Sequence, residues 1–323
     1  MEKLLRMTQE ELAEHVEFVL RKQGREVFHS KGGYLYSPGE IPMMMVAHLD
    51  TVHKNPVETI CKSKDGRFLM SPEGIGGDDR CGVYIALEAS SRIRPSLLFT
   101  YDEEIGGLGV GKFCKDYRGL DLGVKFIIEF DKAGNDVVTY YDQDAPEFME
   151  FVEENTEYEP TYGSYSDIVD LYEEFEVACG NFSAGYENQH TKYETIDMLG
   201  VERGIENAVK LGELSEHEDV PYFKSKTMYS GNNYAYFDSY YDDIVAAAIV
   251  IDWDSGEEYM ISLPEHHSDK KSLEVLEKIM GGEQGYELEY YEIYDEVLAS
   301  CDTGNFGVED LVDLVNDYLY FGM

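Results

Sequence analysis

Four short apolar segments of this chain each lead to residues that can bind a metal ion, and this repetition constrains the fold most. The residues concerned are His48 after segment 41–47, Asp102, Glu103 and Glu104 after segment 95–101, Asp131 after segment 124–130, and His190 after segment 175–179. Short apolar runs bounded by Gly and Pro are typical of buried strands, and open α/β sheets bind ligands beyond the carboxyl ends of their strands. Because every ending offers carboxylate or imidazole groups, the pattern predicts a single metal centre.

Segments with strand-like and helix-like patterns alternate over the first two thirds of the chain. Thr8-Gln-Glu-Glu11 fits a capping box before a helix of about four turns. Further helices are predicted at 79–90, from about 109, and at 144–155, 166–174 and 198–214. This alternation predicts a layered α/β domain over residues 1–215.

The composition changes after residue 215, where the chain becomes more acidic and rich in tyrosine. The patterns predict strands at 244–252, 259–263 and 287–293 and helices at 271–280 and 309–320. We therefore expect residues 216–323 to form a small acidic α+β appendage, joined by a linker near 215–240.

The net charge of -40 limits the classes of partner. Nucleic-acid backbones and anionic membranes would be repelled, whereas metal ions and a cationic protein bound by the acidic C-terminal region are compatible with it. The five cysteines form no Cys-x-x-Cys pair, which argues against a disulfide scaffold and a thiolate zinc site. Without an apolar signal segment or an apolar run of about 18 residues, a cytoplasmic protein is expected.

The acidic run of Asp102, Glu103 and Glu104 directly follows a core strand. Adjacent carboxylates repel one another unless they share a cation or a proton, so the run indicates a functional site. In His48-Leu-Asp50, the two polar side chains point to the same side of an extended segment, and Asp50 could orient His48 without binding the same metal. The adjacent acids at 78 and 79 could be metal ligands or could cap a helix.

Five ordered motifs resemble those of the di-zinc exopeptidase superfamily, which includes peptidase T-like tripeptidases, bacterial zinc aminopeptidases and glutamate-releasing carboxypeptidases. The motifs are Ala47-His-Leu-Asp-Thr51, Gly76-Gly-Asp-Asp-Arg-Cys-Gly82, Asp102-Glu-Glu-Ile-Gly106, Glu129-Phe-Asp131 and Glu187-Asn-Gln-His-Thr191. The resemblance spans roughly residues 41–210. It implies a three-layer zinc-exopeptidase-like domain with a mixed central sheet flanked by helices.

The resemblance also implies roles for individual residues. The implied ligands of two Zn²⁺ ions, or of Co²⁺ or Mn²⁺ in their place, are His48 and Asp131 on one ion, Glu104 and His190 on the other, and Asp78 as the bridge. Glu103 would be the general base, and Asp50 would support His48. A cis peptide bond is implied between Asp78 and Asp79.

One departure from the resemblance concerns the length of the chain between two motifs. Peptidase T-like relatives carry a long dimerisation insert between the Asp and the last His, whereas only 58 residues separate Asp131 from His190 here. A compact core of the aminopeptidase type is therefore expected. The implied function is hydrolysis of short peptides, with attack at the N-terminus favoured because an acidic site attracts an ammonium group.

Three alternatives stay open. The chain could be a carboxypeptidase or acyl-amino-acid hydrolase of the same superfamily. It could also be an acidic, non-enzymatic binding or decoy protein on a metallopeptidase scaffold. The segment 106–113 comes close to a phosphate-binding loop, but Phe113 stands where Ser or Thr would be needed to hold magnesium.

Overall fold

The chain divides into two units, Met1–Met228 and Tyr229–Met323. A computed structural model describes residues 1–53, 55–161, 163 and 165–227 of the first unit. In the second unit it describes four strands, which are Ile244–Ile251, Glu258–Pro264, Leu288–Ile293 and Glu296–Cys301.

Seven helices lie in the described part of the first unit. They are α1 (Glu2–Leu5), α2 (Gln9–Lys22), α3 (Gly77–Ala89), α4 (Leu108–Tyr117), α5 (Pro146–Asn155), α6 (Asp167–Phe175) and α7 (Met198–Ser215). Helix α2 begins with the predicted capping box: the Thr8 hydroxyl accepts the Glu11 N–H, and the Glu11 carboxylate accepts the Thr8 N–H. This exchange satisfies two backbone groups that a helix start leaves without partners.

The strands of the first unit form one large sheet and two small ones. In chain order they are β1 (Phe28–Ser30), β2 (Tyr34–Ser37), β3 (Met43–His48), β4 (Cys61–Lys62), β5 (Phe68–Met70), β6 (Ser96–Thr100), β7 (Phe126–Lys132), β8 (Val137–Thr139), β9 (Gln143–Asp144), β10 (Glu159–Pro160), β11 (Cys179–Ser183), β12 (Tyr186–Glu187), β13 (Thr195–Asp197) and β14 (Lys226–Thr227). The large sheet has the order β1-β2-β6-β3-β7-β11-β8-β10, and the small sheets are β12-β13-β5-β4 and β14-β9.

The four central strands, β6, β3, β7 and β11, are parallel to one another, whereas β1–β2, β2–β6 and β11–β8 are antiparallel. The sheet is therefore mixed, as the family resemblance implied. Parallel neighbours bring their carboxyl ends to one edge, and these are the strand ends that carry the predicted metal ligands.

Helices cover both faces of the large sheet. Along β3, Met43 and Met45 face one core with α1, α2, α3, α5 and α7, while Met44 and Val46 face a second core with α4 and α6. Successive side chains of a strand point to opposite faces, so a strand covered on both sides reads as a continuous apolar run. The predicted three-layer architecture is confirmed.

One strand prediction was wrong. Segment 175–179 was expected to be a strand, but α6 ends at Phe175 and β11 begins only at Cys179. Glu176 terminates the helix in a left-handed conformation with φ 54. Phe175 packs against the second core from the end of the helix, so its apolar character reflects packing in the helical layer.

The segment after α7 still packs on the first unit. The side chain of Phe223 is buried, its N–H donates to the Lys125 carbonyl, and its own carbonyl accepts the Ala178 N–H. The predicted limit at 215 and the division at Met228 differ because this segment joins the core without forming a long regular element.

In the second unit the described strands pair as two antiparallel hairpins. Strands β15 (Ile244–Ile251) and β16 (Glu258–Pro264) form one, and β17 (Leu288–Ile293) and β18 (Glu296–Cys301) form the other. The predicted helices at 271–280 and 309–320 lie outside the described residues. Among the described residues, no helix has the length and apolar character needed to cross a membrane.

Candidate metal centre

The predicted ligands converge at the carboxyl edge of the parallel strands. His48 is the last residue of β3 and pairs in register with Thr100, the last residue of β6. Asp131 lies near the end of β7, on the other side of β3. Asp78 enters from the start of α3, and His190 from the loop after β12. Residues far apart in the chain therefore meet because parallel strands end together.

The side-chain geometry forms two triads that share Asp78. Asp78 Oδ1 lies 3.0 Å from His48 Nε2, and Asp78 Oδ2 lies 3.2 Å from His190 Nε2. Asp131 Oδ1 is 3.5 Å from His48 Nε2, and Glu104 Oε2 is 3.0 Å from His190 Nε2. Within each triad, candidate ligand atoms lie within 4.8 Å of one another. One carboxylate thus faces both imidazoles, with a further acid beside each.

Asp50 connects the imidazole to the acidic turn after β6. Its Oδ1 lies 3.1 Å from His48 Nδ1, on the ring edge opposite Asp78. The same carboxylate accepts the backbone N–H groups of Glu103 and Glu104, each at 3.1 Å. Asp50 therefore fixes the ring of His48 and also the position of the two acids. Only the contact with His48 was expected from the sequence.

The backbone around Asp78 is held by neighbouring side chains. The peptide bond between Asp78 and Asp79 is cis, as the family resemblance implied. The buried Asp79 carboxylate accepts the His48 N–H and, three residues ahead, the Gly82 N–H. The sequence left two interpretations open for these acids, metal ligand or helix cap. In the structure Asp79 caps the regular part of α3, whereas Asp78 faces the imidazoles.

Three residues at or beside the site adopt left-handed backbone conformations without being glycine. They are Asp102 (φ 58), Asn188 (φ 58) and His190 (φ 61). Such conformations are uncommon outside glycine, and they cluster at functional sites because the surrounding structure must hold them in place. Here they turn the chain sharply after β6 and around His190.

Burial and mutual repulsion dominate the electrostatics of the acids. Burial raises the pKa of Glu103 to about 9, and burial together with Asp78 raises the pKa of Asp131 to about 7. Burial opposes the shift of Asp78, but hydrogen bonds with His190 and His48 hold the pKa of Asp78 below its usual value. Negative charge is therefore concentrated beyond what the two imidazoles neutralise.

The two imidazoles respond to these acids in the same sense. Asp78 and Glu104 raise the pKa of His190 to about 10. Burial opposes the shift of His48, but hydrogen bonds with Asp131 and Asp50 raise the pKa of His48 well above its usual value. The surrounding carboxylates therefore favour a positive charge at the position of both rings.

Glu194 supports the site and was not singled out from the sequence. Its carboxylate is fully buried and accepts the N–H groups of Gly76 and Asp78, at 2.8 and 3.0 Å. His53, whose role the sequence left open, lies 3.2 Å from the same carboxylate. In the sequence, only its position four residues after His190 could have indicated that Glu194 belongs to the site. One loop thus supplies a candidate ligand and fixes the backbone of Asp78.

The sequence motifs did not identify several further buried polar groups near the site. The Tyr186 hydroxyl donates to Asp131 Oδ1 at 3.0 Å. Ser166 begins α6 without capping it, because its hydroxyl donates to the buried Glu129 carboxylate. The adjacent Asp167 is fully buried and accepts a hydrogen bond from the Thr100 hydroxyl.

The donor set fits a pair of divalent cations. Carboxylates and imidazoles are the ligands that zinc accepts alongside thiolates. Glu104 Oε1 is buried and has no hydrogen-bond partner among the described residues, a costly arrangement that a cation would relieve. Glu103 also has a carboxylate oxygen within 4.8 Å of candidate atoms of His48 and Glu104, so it lies inside the same cluster.

The glycine-rich segment after the acids starts a helix and does not have the features of a phosphate site. Lys112 forms a salt bridge with Asp116, one turn further along α4, and Phe113 is buried in the second core. At Gly109, an added Cβ would collide with the backbone of Gly33 and Tyr101. These glycines allow close packing of the helix start. His266 and His267, which the sequence assigns to a surface loop, lie outside the described residues.

Comparison with known proteins identifies the fold. No protein-family model and no curated protein matches the sequence. Among solved structures, aminopeptidase PepT from Bacillus cereus superposes with a TM-score of 0.51 at 14% identity, covering 67% of this chain and 97% of that one. A tripeptidase from Staphylococcus aureus gives a TM-score of 0.53 at 12% identity, covering 66% and 96% of the two chains. A TET aminopeptidase from a marine sediment archaeon of the Thaumarchaeota gives a TM-score of 0.51 at 12% identity, covering 66% and 95%. The chain therefore has the same fold as these solved aminopeptidases and this tripeptidase.

Proposed function

We propose that this protein is a co-catalytic di-zinc exopeptidase that hydrolyses short peptides, with attack at the N-terminus. The observation that carries the proposal is the carboxylate of Asp78, which turns one oxygen toward His48 and the other toward His190. This is the arrangement expected of an acid that bridges two metal ions. On this proposal, His48 and Asp131 hold one zinc ion, and Glu104 and His190 hold the other.

Each of the surrounding residues would have its own role in hydrolysis. Two zinc ions held here would supply the Lewis acidity that polarises a peptide carbonyl and acidifies water. Glu103 takes the proton of the attacking water and delivers it to the leaving amine. Burial raises the pKa of Glu103 in the metal-free site, and the charge of two zinc ions would lower it so that the carboxylate can accept this proton. Asp50 keeps the His48 ring and the backbone of Glu103 in place.

Charge supports an amino-terminal rather than a carboxy-terminal substrate end. In the described part of the chain, no lysine or arginine forms a salt bridge with Asp78, Glu103 or Glu104. A carboxypeptidase would need a cationic group to bind the substrate carboxylate, whereas an ammonium group is attracted by uncompensated acids. The carboxypeptidase and acyl-amino-acid hydrolase alternatives lack such support.

The proposal is tested by metal content and by a peptide panel. The purified chain should bind about two equivalents of zinc. With zinc present, it should cleave unblocked and C-amidated tripeptides and leave N-acetylated ones intact. Asp78→Asn should lose both properties, whereas Asp116→Asn, an exposed acid on α4, should keep them. Cleavage of N-acetylated peptides alone would contradict N-terminal attack, and absence of both zinc and cleavage would favour the decoy alternative.

A further inference from the structure

Among the candidate ligands in the described part of the chain, His190 is the most exposed to solvent. The side chain of His190 is 50% exposed, whereas those of Asp78, Glu104 and Asp131 are 8–10% exposed. We therefore place the approach of a substrate on the side of His190, which contacts Glu104 in the turn after β6.

Large apolar side chains are exposed on this turn and beside it. Ile105, which directly follows Glu104, is 68% exposed, and Leu108, the first residue of α4, is 56% exposed. Tyr165, on the segment leading into α6, is 41% exposed. Isolated exposed apolar residues are normal, but a group beside a concave polar site is typical of a ligand-binding surface.

The position of Tyr165 is fixed next to the acidic turn. Its hydroxyl donates to Asp170 at 2.6 Å and lies so close to Gly107 that an added Cβ would collide with it. Gly107 has φ 62, a backbone conformation that favours glycine. The Tyr165 hydroxyl occupies the space that a side chain at this position would need. Because Gly107 belongs to the turn that follows Glu103 and Glu104, this contact places the Tyr165 hydroxyl against the acidic turn.

We propose that Ile105, Leu108 and Tyr165 form the surface that binds the side chain of the substrate's N-terminal residue. We name them the apolar rim. The substrate class would then be peptides that begin with a large aliphatic or aromatic residue. This inference rests on the proposed function, because the zinc ions and acids fix where the scissile bond lies. Each methylene placed against such a surface is removed from water, so affinity should rise with the size of the side chain.

Amino-acid hydroxamates test the rim without requiring turnover. These compounds chelate zinc through the hydroxamate and carry the amino acid's own side chain. By calorimetry on the zinc-loaded full-length protein, leucine hydroxamate should bind at least about tenfold more tightly than glycine hydroxamate. The ratio of the affinities for leucine hydroxamate and glycine hydroxamate should fall toward one in Tyr165→Ser and in Ile105→Ser. Tyr165→Phe, which keeps the ring, should preserve it, as should Leu120→Ser, an exposed apolar residue in the turn after α4.

The outcomes separate this inference from the proposed function. Equal affinities for both hydroxamates, or a ratio that survives Tyr165→Ser combined with Ile105→Ser, would overturn the rim. Peptide hydrolysis with the same kcat/KM for N-terminal Leu, Ala and Asp would overturn it while leaving the exopeptidase intact. A leucine preference in binding that depends on Tyr165, without any peptide hydrolysis, would support the rim and reject the exopeptidase.

Discussion

Adjacent acids in this site differ in chemistry because their surroundings differ. Glu104 lies against His190 and carries a buried, unpaired oxygen, which suits a metal ligand. Among the described residues Glu103 forms no salt bridge with a histidine, and burial raises the pKa of Glu103 to about 9, which in the metal-free site favours the protonated form. Asp102 is held by the Gln9 amide at 3.1 Å, outside the cluster. One tight turn thus places three consecutive carboxylates in three different environments.

Replacing the candidate base should separate metal binding from turnover. Glu103→Gln keeps the size of the side chain but cannot accept the proton of water, so kcat should fall by about 10²–10⁴-fold. Zinc content, measured by atomic absorption, should stay unchanged. Asp102→Asn, in the same acidic run, is the matched control and should retain activity. Undiminished turnover in Glu103→Gln would show that another group is the base.

Zinc binding should release protons from the two imidazoles. In the metal-free protein the pKa of His190 is raised to about 10 by Asp78 and Glu104, and that of His48 is also raised. The protonated ring of His190 therefore stabilises the metal-free fold fully below its unfolded pKa of about 6.5, and this contribution is lost as pH rises through about 10. Zinc requires neutral imidazole, so the two rings should release about two protons at about pH 8, and Glu103, whose pKa is about 9, should release about one more.

Calorimetry in buffers of different ionisation enthalpy measures this release. The apparent zinc-binding enthalpy should vary with the buffer, with a slope of about three protons in the wild-type chain and about two in Glu104→Gln, where His190 loses an acid. A binding enthalpy that is independent of the buffer would show that the rings are already neutral before zinc binds.

At the level of elements, the loop between β12 and β13 is the part that assembles the centre. It presents His190 in a left-handed conformation and then returns with Glu194 beneath the turn before α3. Strand β13 pairs with β5, and Arg67 just before β5 binds Asp197 with two hydrogen bonds. The loop is therefore anchored at its exit, so both of its site residues keep fixed positions.

Removing the buried carboxylate of this loop should lower both the stability of the fold and the affinity of the centre for zinc. Glu194→Ala leaves the N–H groups of Gly76 and Asp78 without their acceptor. The free energy of unfolding of the metal-free protein should fall by about 1–3 kcal/mol for each buried group that stays unpaired. Zinc affinity, from competition with a chelator, should fall by about 10–100-fold. Glu187→Ala, an exposed acid before the same loop, should change neither quantity, and equal effects of both variants would contradict this role.

At the level of the whole molecule, the first unit contains every residue assigned to the centre and both apolar cores of the described chain. The segment after α7 belongs to it, because Phe223 lies 5.1–6.1 Å, centroid to centroid, from the rings of Phe126, Phe148 and Phe151. The role of residues 216–323 as an acidic appendage that binds a cationic protein stays a prediction, as does a cytoplasmic location.

Two shortened chains test where the first unit ends. A chain ending at Met228 should fold cooperatively and bind zinc as the full chain does. A chain ending at Ser215 loses Phe223 from the core and should be destabilised by about 3–5 kcal/mol, the usual cost of removing a buried phenylalanine side chain. Urea denaturation followed by circular dichroism compares the two. Equal stability of both chains would place the limit at 215, as the composition suggests.

The sequence by itself determined the layered α/β architecture, the helix starts and the identity of the candidate ligands. Apolar runs that end in acids or histidines are local features, and the resemblance of five ordered motifs could be recognised without coordinates. Only the tertiary structure decided that Asp78 faces both imidazoles, that Asp50 holds two backbone amides as well as a ring, and that Glu194 and Tyr186 support the site. These contacts join residues from separate elements. The physical reason is that hydrogen bonds depend on distances between side chains, and those distances are fixed only when the strands and loops pack together.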